Sequence, residues 1–410
     1  MISITKLISG AESWGDRVRY EGAPRDPLER RPVVVWAMTR RCNLHCIHCY
    51  SDSRDQVYPG ELDDAAARKL IADLADFGCP VLLLSGGEPL MHPRLFDYIA
   101  LAKAKGLRPV VSTNGTLIDD ETARRFVELG TAYVGISLDG IEAVNDRFRG
   151  KKGAFKATMR GFHACLKHGQ KIGLRLTLTK RNVADLERIF DLIEREGIDR
   201  ACFYHLAYAG RGAELRDLDV AHDESRAAVE LIIEKAKDYA DRGLDKEVLT
   251  VDNHADGPFL LMKMRAEQHP RAEEAYRLLQ HNGGNQSGIA IACIDNVGEV
   301  HADQFLQEIS FGNVAERSFG EIWTDTSDPV RRGRRIGSSW ATAVLAGLKH
   351  RAPLIKGRCA PSNCRWFDIC NANLRARAYA VTGDLWESDP ACYLTDAEIA
   401  AGPGSQLQYR

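Results

Sequence analysis

Short apolar runs rich in β-branched residues recur through the first half of the chain. Val33–Met38, Val81–Leu84, Pro109–Ser112, Tyr133–Leu138, Leu174–Leu178 and Cys202–Leu206 carry little or no charge and are too short for buried helices. They read as buried strands. Between the first two, Ala67, Leu70, Ile71, Leu74 and Phe77 fall on one helical face, with Asp63 placed to cap the start and Gly78 to end it. A second helix is predicted from Pro93 to Lys105, with proline in its first turn and Gly106 beyond its last. The other strands are separated by similar amphipathic stretches. Six strand-then-helix repeats imply an α/β fold, its parallel sheet joined by right-handed crossovers and either open or curled into a partial (βα)6 barrel.

At 410 residues the chain exceeds the size at which one core usually stops growing. Residues 1–30 show no strong pattern and read as a loose N-terminal arm. The repeats occupy 31–212 and close on a polar link containing Gly210 and Gly212. A helix from about Asp223 to Arg242 dominates a helical linker region, 213–287. Within 288–410, Ile289–Cys293 and Glu299–Ala302 read as a hairpin joined through Asn296, Val297 and Gly298. The end of the chain is rich in cysteine, proline and turn residues and poor in long apolar runs. A metal is the expected staple of this small α+β domain.

The formal charge of −2 predicts no nucleic-acid partner. No apolar run approaches the roughly 18–20 residues of a membrane helix, and the start lacks a signal-peptide core. The protein is expected in the cytoplasm with no membrane partner. Eleven cysteines in that reducing compartment favour metal ligation over disulfides.

Cys42, Cys46 and Cys49 sit on the loop that leaves the first strand at its C-terminal end, where α/β proteins place their chemistry. Three thiolates there suit either of two centres. Zinc would recruit His45 or His48 as a fourth ligand. An iron–sulfur cube would take one ligand per iron and keep one iron open. Gly86-Gly87-Glu88-Pro89 follows the second strand, and its glycines let the backbone approach a neighbour closely. Ser112-Thr113-Asn114-Gly115 ends the third strand and Ser137-Leu138-Asp139-Gly140 the fourth; helix caps and turns are the plain alternative for both. In the tail, Cys359, Cys364, Cys370 and Cys392 are separated by four, five and twenty-one residues. They suffice for a second cube or a structural zinc, with Cys293 as a fifth candidate. Cys79, Cys165 and Cys202 read as core, Cys165 on a stripe with Phe155, Met159 and Phe162.

The triad spacing, with His48 before its last cysteine and Gly-Gly-Glu-Pro at the next strand end, resembles the radical S-adenosylmethionine (SAM) superfamily. That resemblance implies a [4Fe-4S] cluster on Cys42, Cys46 and Cys49 with SAM on its open iron. Reduction of the cube would cleave the sulfonium to methionine and a 5′-deoxyadenosyl radical that takes a substrate hydrogen. It further implies that Gly86, Gly87, Glu88 and Pro89 receive the SAM amino group, and that Ser112, Asn114, Ser137 and Asp139 line its site. Arg149 and Arg175 are candidates for the SAM carboxylate. An electron donor such as flavodoxin or ferredoxin is implied as a partner.

The runs His301–Phe305, Ser310–Val314, Lys356–Cys359, Cys364–Cys370, Thr382–Trp386 and Asp389–Tyr393 are similar to the haem d1 biosynthesis family, with its auxiliary-cluster (SPASM/twitch-type) C-terminal domain. This implies an enzyme with a second [4Fe-4S] cluster on Cys359, Cys364, Cys370 and Cys392. The family removes the C3 and C8 propionates of the iron tetrapyrrole 12,18-didecarboxysiroheme. Such a substrate needs a wide apolar cavity with arginines or lysines for its carboxylates. His205 and Tyr208, at the sixth strand's end, are candidates for its side of the site. Two features depart from the family. Four residues, against two, separate the first two tail cysteines, and Arg331–Ala343 reads as an insertion. Three competing functions stand beside this one. A sister enzyme of the alternative haem pathway would remove acetates or decarboxylate propionates. A peptide maturase would carry a winged domain for which 30 leading residues are too few. An iron–sulfur electron carrier would need no SAM pocket.

Overall fold

The computed structural model describes residues 1–21, 26–326 and 336–404. In chain order its strands are β1 (Ile2–Ser3), β2 (Val33–Ala37), β3 (Val81–Ser85), β4 (Arg108–Thr113), β5 (Tyr133–Ser137), β6 (Ile172–Leu178), β7 (Arg200–His205), β8 (Glu247–Val251), β9 (Ile291–Ile294) and β10 (Val300–His301). They form one sheet in the order β1-β8-β7-β6-β5-β4-β3-β2-β9-β10. Neighbours from β8 through to β9 run parallel, while β1 and β10 are antiparallel edges.

The apolar runs alternate between two destinations, as a pleated strand requires. Val34, Trp36, Leu82, Leu84, Val111, Val134 and Ile136 join the main core under the helices. The intervening Val33, Val35, Leu83, Val110, Tyr133 and Arg175 line an interior cavity of ≈ 720 Å³. Residues of β2, β8 and β9 all reach this cavity, so the sheet curls around it as a partial barrel. The helices pack outside. The first, Asp64–Asp76, starts where the Asp63 carboxylate accepts from Ala66 N–H at 2.8 Å, and it buries Ala67, Leu70, Ile71 and Leu74. Loss of such a cap costs about 1 kcal/mol.

Three expectations need correction. Residues 1–30 are not a loose arm. Ile2 pairs with Thr250, and helices Ile4–Ser9 and Trp14–Tyr20 follow. The stretch 213–287 is not wholly helical, since it supplies β8 beside β7. The predicted hairpin does form, but it joins the barrel sheet, with Val33 opposite Ile291 and Val35 opposite Cys293. The segment Arg331–Ala343 lies partly outside the described residues, and its end begins helix Ile336–Lys349.

The cysteine-rich tail is fastened to the barrel's rim by a buried arginine. Arg377 forks onto Asp389, with Nε to Oδ1 at 3.0 Å and Nη2 to Oδ2 at 2.9 Å. Neither side chain has any exposure. Arg377 also donates to the carbonyls of Leu206, after β7, and Asp252, after β8. Asp389 accepts from the N–H groups of Leu374 and Ala391, so the pair is satisfied on both sides.

Candidate active site

Cys42, Cys46 and Cys49 share one small buried cluster with Leu44 and Ala154 at the C-terminal mouth of the barrel. The loop is gripped by its backbone. Arg211 Nε donates to the Cys46 carbonyl at 2.8 Å, and Arg211 N–H to that of Cys49 at 3.0 Å. Gly210, at φ +52°, sits so close that an added Cβ would stand 2.4 Å from the Tyr50 carbonyl. The Gly210-Arg211-Gly212 stretch is therefore a clamp on the cysteine loop, although its sequence read only as a polar link.

The sulfurs face N–H groups. Leu44 N–H meets Cys42 Sγ at 3.5 Å, Ser53 N–H meets Cys49 Sγ at 3.4 Å, and Arg149 Nη1 meets Cys46 Sγ at 3.6 Å. Burial, with the Glu88 charge second, pushes the Cys42 thiol up to about 12, and burial raises Cys46 as well. Ligation would displace those protons. Among the described residues no three His, Cys, Asp or Glu side chains close on one point as a single metal ion requires. A cubane takes three thiolates one per iron and leaves its fourth iron open. The donor set fits the cube.

The glycines of Gly86-Gly87-Glu88-Pro89 serve the loop itself. A Cβ on Gly86 would lie 2.2 Å from the Thr39 carbonyl, and one on Gly87 2.3 Å from that of Arg41. Glu88 is wholly buried and accepts from Thr113 Oγ1 at 2.7 Å and Asn114 N–H at 2.8 Å; burial raises its carboxyl. Pro89 opens a short turn, Pro89–Met91. Asn114 Nδ2 in turn donates to Asn43 Oδ1 at 2.9 Å. Motif and cysteine loop are thus one hydrogen-bonded unit.

Ser137 and Arg149 line the cavity. Asp139 does not, because it is buried against Arg149 and accepts from Thr177 N–H at 2.8 Å. Ser112 Oγ is occupied by Arg175 Nη1 at 2.6 Å. His48 lines the cavity, packs on Phe148 at 4.5 Å, and is pushed down to about 4 by burial, so its ring is neutral. His205 also lines the cavity, with Nε2 3.1 Å from Asp256 Oδ2, while Tyr393 donates to the other Asp256 oxygen. Tyr208 is a correction: its hydroxyl donates to Asp219 at 2.7 Å, away from the cavity lining. The tail cysteines Cys359, Cys364, Cys370 and Cys392 line one small separate cavity with Trp366 and Asp389. Cys293 is elsewhere, buried in β9 opposite Val35.

A curled parallel sheet thus carries a three-cysteine loop at its C-terminal mouth, the arrangement of a barrel enzyme. Residues 36–193 match the radical SAM superfamily model. The chain is 51% identical over 410 residues to the Fe-coproporphyrin III synthase of Methanosarcina barkeri, spanning 97% of this chain and 99% of that one. It is 42% identical to the pre-heme d1 synthase of Dinoroseobacter shibae, spanning 90% and 87%. The AdoMet-dependent heme synthase of Nitratidesulfovibrio vulgaris is 31% identical, spanning 92% and 95%. The chain belongs to the radical SAM superfamily, among its haem-synthesis enzymes. The fold is also that of SuiB from Streptococcus suis bound to S-adenosylmethionine (TM-score 0.67, 15% identity, 89% and 78% covered) and of anSMEcpe with bound AdoMet (0.64, 15%, 88% and 93%). Among the described residues no helix is long and apolar enough to cross a membrane.

Proposed function

We propose that the enzyme makes Fe-coproporphyrin III by removing acetate side chains from a more heavily carboxylated iron tetrapyrrole. The supporting observation is the 51% identity to the M. barkeri Fe-coproporphyrin III synthase across nearly the whole of both chains. A [4Fe-4S] cluster on Cys42, Cys46 and Cys49 with SAM would supply a 5′-deoxyadenosyl radical able to take hydrogen from an unactivated carbon. The chain's own residues position and shield. Arg211 and Gly210 hold the cysteine loop, Arg149 donates to Cys46 Sγ, and Glu88 fixes Asn114 beside Cys42. The ≈ 720 Å³ cavity gives a large substrate room inside the barrel.

Pre-haem d1 formation is the second reading. It is favoured by the tail runs that resemble the haem d1 biosynthesis family and by the 42% identity to the D. shibae synthase. Anaerobic incubation of the reduced, reconstituted enzyme with SAM and 12,18-didecarboxysiroheme separates the two, because acetate and propionate loss give products of different mass. Fe-coproporphyrin III is the expected product. A product lacking propionates would transfer the enzyme to the second reading, and an unchanged tetrapyrrole would reject both.

The tail is proposed to hold a second [4Fe-4S] cluster on Cys359, Cys364, Cys370 and Cys392. All four line one cavity, and burial pushes the Cys392 thiol up to about 12. The longer spacing after Cys359 is absorbed by a turn in which Cys364 N–H bonds the Ala360 carbonyl at 2.8 Å. Iron content tests the set. Cys359→Ala is expected to lose iron and Cys293→Ala to keep it; the reverse result would exchange the two ligands.

A further inference from the structure

The barrel lumen holds a cation, Arg175, with no carboxylate paired to it among the described residues. Arg175 projects inward from the middle of β6, and its guanidinium lies across Gly135 of β5. A Cβ added to Gly135 would stand 2.3 Å from Arg175 Nε and 2.5 Å from Cζ, so any side chain there would displace the guanidinium. Ser112 Oγ on β4 accepts from Nη1 at 2.6 Å, and the Tyr133 ring lies 5.9 Å from Cζ. Nε is enclosed and meets no acceptor among the described residues. Tyr133 Oη is likewise enclosed and unpartnered, over Gly173, where a Cβ would be 2.4 Å away.

Other cavity arginines have partners: Arg30 donates to Gln286 Oε1 and to the His281 carbonyl, each at 3.4 Å. Arg149 has Asp139, and Arg19 and Arg200 share Glu247. Arg108 stacks on Trp14 at the opposite, N-terminal end of the barrel. Around Arg175 the charged or titratable groups with most influence are Tyr204, Tyr133, Cys202 and Arg200, none of them a carboxylate. A guanidinium withdrawn from water without a counter-charge is costly. Here two glycines make room for it and for the neighbouring phenol, in the wall of the site. An anion arriving with a ligand would compensate it, and a planar carboxylate matches the guanidinium fork.

We propose that Arg175 binds a peripheral carboxylate of the iron tetrapyrrole inside the barrel, over Gly135 and one pleat deeper than Ser137. This rests on the tetrapyrrole reading above. The carboxylate of SAM has the same chemistry, and the experiment separates the two sources.

Arg175→Met and Arg175→Lys are compared with the wild type, all reconstituted with iron. Dissociation constants are measured for SAM, for an iron tetrapyrrole with free carboxylates and for its methyl ester. Arg175→Met is expected to weaken the free acid about 10- to 100-fold, to leave SAM within about two-fold, and to erase the wild type's preference for acid over ester. Arg175→Lys keeps the charge but loses the fork, so its loss should be intermediate. The unliganded Arg175→Met enzyme should also unfold at a higher temperature than the wild type, which a merely structural arginine would not allow. Weakened SAM with an unchanged tetrapyrrole would give the residue to SAM. Equal tetrapyrrole binding by wild type and Arg175→Met would overturn the placement alone, whereas a wild type that binds no iron tetrapyrrole would overturn the functional reading with it.

Discussion

Replacing Cys42, Cys46 and Cys49 together by alanine is expected to abolish SAM cleavage and to lower bound iron from about eight to about four per chain. The loss should be complete because a cubane on this loop would take one thiolate per iron, so none could be spared. The fold should survive. The loop is held through its backbone, by Arg211 on the Cys46 and Cys49 carbonyls and by His45 N–H on the Arg149 carbonyl at 3.2 Å, none of which involves a thiol. Iron analysis, circular dichroism and a 5′-deoxyadenosine assay on one preparation check all three statements. Cleavage retained by the triple variant would end the assignment of this loop as the reactive centre.

Asp389→Ala is expected to cost about 3–5 kcal/mol, the range for stranding one member of a buried ion pair. Arg377 would be left charged and enclosed, and the N–H groups of Leu374 and Ala391 would lose their acceptor. The damage should spread to the tail's iron, since Cys392 N–H bonds the Asp389 carbonyl and both residues line the cysteine cavity. Chemical denaturation followed by the fluorescence of buried Trp366 measures the first effect, and iron content the second. The paired change Arg377→Met with Asp389→Leu should recover most of the stability, because it removes both charges. A single variant as stable as the wild type would show that the pair does not secure the tail.

The repeating unit was legible because each of the six strands is a short, mainly apolar run bounded by turn residues. Glu247–Val251 escaped because its five residues follow a long helix and begin with a charge, a pattern shared with helix ends. Ile2–Ser3 is too short to give any periodicity. The site divides in the same way. Cysteine spacing and the Gly-Gly-Glu-Pro run announce themselves locally. That Glu88 holds Asn114, that Gly210 and Arg211 clamp the loop, and that Tyr208 turns to Asp219 depend on which strand ends meet. Long-range partners leave no mark in a local window, as the pairing of Cys293 with Val35 shows.

That pairing sets an order of assembly. β2 has two neighbours, β3 close behind it in the chain and β9 far downstream, while β3 through β8 add in succession. Closing so long a loop is slow compared with forming the local repeats. During synthesis the strand that carries the cysteine loop therefore waits as an unpaired edge, with Val33 and Val35 uncovered, until the chain has passed Ile294. A polypeptide interrupted before Ile291 would keep that edge permanently, and self-association through it, more than loss of chemistry, would be its first defect.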